Sequence, residues 1–399
     1  MPNRLKLLCV WLVLAAGARG VAGLDDEHRA IAKAAIQRGI AFLRGSQNDD
    51  GSWSPKPGPA ITGLVTTAML DQPDVGRGDP AVRRALKYIL SKRREDGSIH
   101  DGILQNYNTS ICLSALARVA HVPDMESTVH EAQSYLRQSQ WAGQADPRGR
   151  PVDRAHPFYG GAGYGRHGRP DLSNTHVMLQ GLRDSGLPAD DPAYQRALVF
   201  IARCQGTAAN DLFADQIVPD GGFIYATSID KTLIGVPQSM ASPHMVDEAK
   251  AGRPVSGLRT YGTMTYAGFK SYLYAALDRN DPRVRDAFEW VRRNYTLEQN
   301  PGLPETLKTQ GYYYYLMVFA RALHAWGDET ITTPDGTEHD WANELIATLA
   351  AIQRPDGSWL NKADRWMEGD ANLVTGYALT ALNEAVKEKA DGNDNDSGR

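Results

Sequence analysis

Three cysteines in 399 residues are far too few for a disulfide scaffold, so a chain of this length has to be held by a buried apolar core. Cys9 falls in an N-terminal apolar run. Cys112 and Cys204 sit in helix-like apolar patterns and read as buried structural thiols. Charge of one sign is also scarce: the formal net charge is -4 and the pI is near 6.2, which leaves no electrostatic footprint for nucleic acid. The apolar run from Leu7 to Ala16 falls short of the ~20 residues that span a bilayer, so no stable membrane span is expected. No stretch shows sustained strand-like alternation. Gly-x-Ser-x-Gly is absent, and the glycine-rich Gly160 to Gly165 follows no strand, which excludes a nucleotide loop.

The N-terminus has the build of a secretory signal. Arg4 and Lys6 precede the apolar run, and Ala16-Gly17-Ala18 or Val21-Ala22-Gly23 supplies a small-residue cleavage site. Residues 1–23 are therefore expected to be removed, giving a secreted or periplasmic protein. The polar end, Lys387 to Arg399, is expected to be disordered.

Between these ends one word recurs. Gln47-Asn48-Asp49-Asp50-Gly51-Ser52-Trp53 returns as Gln353-Arg354-Pro355-Asp356-Gly357-Ser358-Trp359, with worn copies at Arg93 to Ile99 and Pro219 to Phe223. Each full copy follows an amphipathic helix pattern, so the chain reads as one unit used several times. Asp-Gly turns the chain, and the aromatic after it is placed to fold back on the helix just ended. Asp79-Pro80, Asp191-Pro192 and Asp281-Pro282 open three helices with a capping Asp and a Pro where its missing N–H costs nothing. With Ala32 to Leu43, Thr128 to Leu136 and Trp341 to Ile352 they make six amphipathic helices. Six more apolar ones alternate with them: Ile61 to Leu70, Thr109 to Val119, Thr175 to Leu182, Thr265 to Leu277, Tyr312 to His324 and Leu373 to Val386. The expected fold is an all-α ring of six helix pairs over 24–386, a single domain, with long loops at Gln140 to Asp171 and Gln205 to Thr260.

A helix, then Gln, a short spacer and Gly-x-Trp resembles the repeat of squalene and oxidosqualene cyclases and, more loosely, of protein prenyltransferase β subunits. Arg38 to Leu43 with Gln47 and Gly51-Ser52-Trp53, and Glu344 to Trp359, carry the resemblance. The chain is also similar to exported prenyltransferase/squalene oxidase repeat proteins at Arg169 to Thr175, Tyr261 to Gly268 and Gly311 to Tyr315. The resemblance implies an α/α toroid with a central cavity for an isoprenoid. It does not extend to the chemistry-bearing motifs: the Asp-x-Asp-Asp acid and the Asp-x-Cys zinc element are missing. No metal and no cofactor is therefore expected, and His156, His167 and His176 read as loop or rim histidines.

Candidate site residues are polar groups at the starts of the apolar helices, which in a toroid face the cavity mouth. Asp370 is the first choice for a general acid or base, with Asn372 beside it, although a helix cap explains Asp370 as simply. Asn108 and Asn174 precede two other apolar helices in the same way. Tyr261, Tyr266 and Tyr312 to Tyr315 offer aromatic walls suited to an isoprenoid, a carbocation or a sugar face. Lys270, on an otherwise apolar helix, must find a partner or a ligand if it points inward. Arg169 and His176 complete the set, Arg169 within a loop cluster of Arg148, Arg150, Arg154 and Arg166 that suits an anionic group. Catalytic roles are thus expected at Asp370, Tyr266 and Lys270. Substrate contacts are expected at Asn108, Arg169, Asn174, His176, Tyr261, Tyr312, Tyr313 and Asn372. Three functions fit: a terpene-cyclase- or prenyltransferase-like protein acting on or binding an isoprenoid-like molecule, a polysaccharide lyase or glycoside hydrolase, and a non-catalytic binding protein of the envelope.

Overall fold

The computed structural model describes residues 23–121, 123–229 and 258–388. The expected signal segment therefore lies outside them except for Gly23, as do residues 389–399 of the tail and half of the Gln205 to Thr260 loop.

Twelve helices of four turns or so alternate between two layers among the described residues. The outer members are α1 (Asp26–Ser46), α3 (Pro80–Ser91), α5 (Pro123–Ser139), α7 (Pro192–Arg203), α9 (Pro282–Arg293) and α11 (Trp341–Ala351). The inner members are α2 (Ala60–Leu70), α4 (Gln105–Ala117), α6 (Leu172–Asp184), α8 (Gly262–Tyr274), α10 (Tyr312–Trp326) and α12 (Ala371–Val386). Each inner helix packs on the next, and α12 returns to α2, so the inner layer closes as a ring. The outer helices bury one stripe, such as Val82, Ala85 and Ile89 of α3, whereas α2 is buried from Ala60 to Met69. Asp79, Asp191 and Asp281 cap α3, α7 and α9 through their side chains, with Pro at the first turn. Cys112 and Cys204 are buried and free. The sole strands among the described residues are a hairpin, Thr330–Thr332 against Glu338–Asp340, too short to show in the sequence.

Several inner helices begin earlier than expected. Asn108 is the fourth residue of α4 and Asn174 the third of α6, so neither precedes its helix; Asp171 caps α6 instead. The threonines near these starts belong to a repeated corner. Thr62, Thr109, Thr175, Thr265 and Thr375 each accept, through Oγ1, the backbone N–H of the residue that closes the preceding corner: Trp53, Ile99, Ala162, Phe223 and Trp359, at 2.9–3.2 Å. Trp53 and Trp359 do fold back, donating Nε1–H to the carbonyls of Leu43 and Leu349, both at 2.8 Å.

The glutamine of the word bridges two outer helices. Gln47 donates to the carbonyls of Gly51 and Ala81, Gln205 to those of Gly221 and Arg283, and Gln353 to those of Gly357 and Ala35. Gln140 does the same with Gly160 and Ala193. This is a corner the sequence concealed, because 19 residues separate its glutamine from its glycine.

Candidate functional site

The inner helices begin around one cavity of about 410 Å³, within the usual range for small-molecule sites. Its walls are apolar and aromatic. Ile61, Leu64, Ile111, Met264 and Leu373 supply aliphatic surface from four inner helices, and Tyr107, Tyr164, Tyr225, Tyr261, Tyr314 and Tyr377 supply rings. Tyr107 meets Tyr164 with centroids 5.8 Å apart, and Tyr314 meets Tyr377 at 5.5 Å.

Two charged side chains line this space among the described residues, Arg169 and Glu368. Arg169 is exposed at the rim. Glu368 is 1% exposed. It reaches the cavity because the loop before α12 folds over the start of α10. Its Oε1 accepts the Tyr314 N–H at 2.8 Å and its Oε2 accepts Asn361 Nδ2–H at 2.5 Å. Burial opposes ionisation more strongly than these donors favour it, and the carboxyl is pushed up from 4.5 to about 7. At neutral pH about half of these carboxyls thereby keep their proton against an apolar wall.

The mouth is apolar and strained. Trp366 and Met367 are each 41% exposed, and both line the cavity at positive φ, 55° and 67°. Leu104, also in the lining, has φ 50°. Left-handed backbone in bulky residues costs about 1–3 kcal/mol each and concentrates at functional sites.

Under the floor, Tyr314 OH meets His176 Nε2 at 2.5 Å and Ser173 Oγ at 3.0 Å. The His176 ring is held well below its ordinary pKa, chiefly by burial and also by the nearby Lys270 and Arg321, so it is neutral. Beside the cavity, Asp171 is wholly buried and raised to about 6 by desolvation. The N–H groups of Asn174, at 2.7 Å from the backbone and 2.8 Å from the side chain, offset part of that rise.

Of the residues expected from sequence, Arg169 and Tyr261 line the cavity, and His176 lies behind its floor in a second, small chamber. The others are held elsewhere. Asp370 caps α12, accepting from the backbone of Asn372 at 2.9 Å and Leu373 at 3.1 Å. Asn372 bonds Ser46 and Ser54. Asn108 ties the Pro57, Ala60 and Ile103 backbones together, and Asn174 serves Asp171. Tyr266 is buried between the layers against Tyr315 and Phe319. Lys270 donates to Gln180 Oε1 at 2.8 Å and lies over the Tyr274 ring. Tyr312 and Tyr313 face an outer groove with Leu297 and Ile352. In the arginine loop, Arg150 and His156 bind the buried Asp146. Sequence reasoning missed Glu368, Tyr107, Tyr225, Trp366, Met367 and Tyr377, none of which carried a motif.

No family model matches the chain, and no curated protein matches it in sequence. Solved structures do resemble it in fold. A single-residue variant of type II terpene cyclase MstE from Scytonema, without ligand, superposes with a TM-score of 0.54 at 14% identity, covering 91% of this chain and 99% of that one. Another variant of that cyclase, with its substrate geranylgeranyl dihydroxybenzoate, gives 0.53 at the same identity and coverage. A D-mannose isomerase gives 0.55 at 11% identity, again over 91% and 99%. The chain thus has the α/α-toroid fold that terpene cyclases share with sugar-acting enzymes, and the fold alone does not choose between those chemistries.

Proposed function

We propose that the cavity takes an elongated, isoprenoid-like molecule and that Glu368 exchanges a proton with it. The observation that carries this reading is a single carboxyl of raised pKa set in an aromatic, largely apolar cavity. The geranylgeranyl substrate held by the similarly folded MstE supports the ligand class. In the step proposed, the Glu368 carboxylic acid gives its proton to an alkene carbon, and a carbocation forms beside a carboxylate. A carboxyl with a raised pKa is a weak donor, so the carboxylate must be stabilised as it forms. The Tyr314 N–H at the start of α10 and Asn361 Nδ2–H are in place to do so. Tyrosine faces stabilise the cation, and loss of a neighbouring proton to the carboxylate restores the acid and leaves a new double bond. Glycoside hydrolysis usually needs paired carboxylates, and the described lining supplies one.

The test is incubation with geranylgeranyl compounds in deuterated water. Wild type is expected to put deuterium into the product. Glu368→Gln is expected to bind but turn over at least ~100-fold more slowly, the usual worth of a general acid. Full activity in Glu368→Gln overturns the assignment, and binding without turnover in wild type makes the protein a carrier. Export is part of the same proposal: N-terminal sequencing of the mature protein should begin after Ala18 or Gly23.

A further inference from the structure

Large apolar side chains are buried almost throughout this molecule, and most of the exceptions fall in one place. Five are exposed among the described residues: Ile103, Tyr164, Ile352, Trp366 and Met367. Tyr164, Trp366 and Met367 line the main cavity, and Ile103 adjoins the lining residue Leu104. Ile103 is 49% exposed and Tyr164 41%. Single side chains of this kind scattered over a surface need no explanation, whereas a cluster at one opening marks an interaction surface. Trp366 rests one edge against Gly311, where a Cβ would stand 3.0 Å from its ring, and shows the rest to water.

The charge on this face is mostly positive. Four loops supply the cluster and the lining beside it, residues 54–59, 100–104, 163–170 and 360–369. They hold Lys56, Arg166, Arg169, Lys362 and Arg365 against Asp101, Asp364 and Glu368, in a chain whose net charge is -4. The three carboxyls are engaged: Glu368 is buried, Asp101 is held by Lys92 at 2.7 Å, and Asp364 accepts the Gly369 N–H at 2.9 Å. Lys56, Arg166, Arg169 and Lys362 are exposed, and Arg365 lies over the Trp366 ring at 5.7 Å. Aromatic and aliphatic side chains interleaved with cations are what a surface needs to enter the headgroup layer of an anionic bilayer. A second copy of the chain fits worse, because a two-fold contact would set these cations against themselves. It would also cover the opening.

We propose that this face docks on an anionic phospholipid bilayer. Ile103, Tyr164, Trp366 and Met367 enter the headgroup layer, and Lys56, Arg169, Lys362 and Arg365 meet lipid phosphates. Among the described residues no helix is long and apolar enough to cross a membrane, so the contact is peripheral. The proposal rests on the cavity taking a lipid and adds its source: the ligand passes from bilayer to cavity without crossing water.

Flotation with vesicles of phosphatidylcholine, with and without phosphatidylglycerol, provides the test. Wild type is expected to float with the anionic vesicles and to be released by salt. Ile103→Asp combined with Arg365→Glu, both outside the cavity lining, should weaken partitioning at least ~tenfold. Geranylgeraniol offered in detergent micelles should still bind that variant, so loss of docking and loss of the pocket are told apart. Brominated acyl chains in the anionic vesicles should quench part of the wild-type tryptophan emission, and Trp366→Phe should lose that quenching whatever the double variant does. Wild type that stays off anionic vesicles overturns the proposal, as does equal flotation of wild type and the double variant. A dimer that the double variant abolishes would give the face to a second copy and overturn it too.

Discussion

Glu368 and Asp370 stand two positions apart and have opposite fates. Asp370 spends its carboxylate on the first N–H groups of α12. Glu368 is carried under the rim and loses its water. That difference sets a pH dependence. Glu368 rises from 4.5 in the unfolded chain to about 7 in the folded one, so the folded state binds the extra proton. The stability this confers is complete below about pH 4.5 and is lost as pH rises through about 7, by on the order of 3 kcal/mol. Asp171, raised to about 6, adds a similar loss over a lower window. Denaturant titrations from pH 4.5 to 8 should show stability falling with pH, and Glu368→Gln should flatten the upper part while leaving the Asp171 part; an unchanged slope would remove Glu368 as a buried acid. The sequence could not distinguish the two carboxyls, because Asp370 opens an apolar periodic run whereas Glu368 sits in a loop whose burial exists only after α10 is placed. Likewise the run Tyr312 to Tyr315 announced an aromatic wall, but only the register of α10 decides that Tyr314 faces inward.

The corner is the element on which the ring is built. Its glycine presses on the next outer helix: a Cβ on Gly357 would stand 2.4 Å from the Arg38 carbonyl oxygen, and one on Gly160 would stand 1.8 Å from that of Arg196. Both have φ near +85°, at 86° and 84°. Gly357→Ala is therefore expected to lose at least ~2 kcal/mol from left-handed strain plus displacement of α1. Thr62→Val leaves the buried Trp53 N–H without its acceptor and should cost about 1–3 kcal/mol. Urea titration measures both, and a neutral Gly357→Ala would contradict the packing described. Four of the corners were legible because each keeps an Asp-Gly turn with Trp, Ile or Phe two residues after the glycine. The Gln140–Gly160 corner was not, since its loop is threaded between the two halves and Ala162 replaces the aromatic. Helix starts were misplaced for a related reason: a threonine that serves a corner looks like a boundary when it lies within the first turn.

Taken whole, the molecule closes on itself by the same device that links its repeats. Gln353 donates to Ala35 at 2.9 Å, and Arg38 donates back to Gln353 Oε1 at the same distance. Closure of α12 on α2 is what leaves a hollow where six apolar helices start, and this much followed from counting helix pairs and corners. The hollow's contents did not follow, because they depend on loops that repeat nowhere. The most direct measurement is native mass spectrometry of the protein incubated with geranylgeraniol and, separately, with a neutral oligosaccharide, using wild type and Ala60→Trp, which puts a large ring at a lining position of the cavity. A single geranylgeraniol adduct on wild type, absent from Ala60→Trp and without an oligosaccharide counterpart, is the expected result. An oligosaccharide adduct alone, or a lipid adduct that survives Ala60→Trp, would contradict the account.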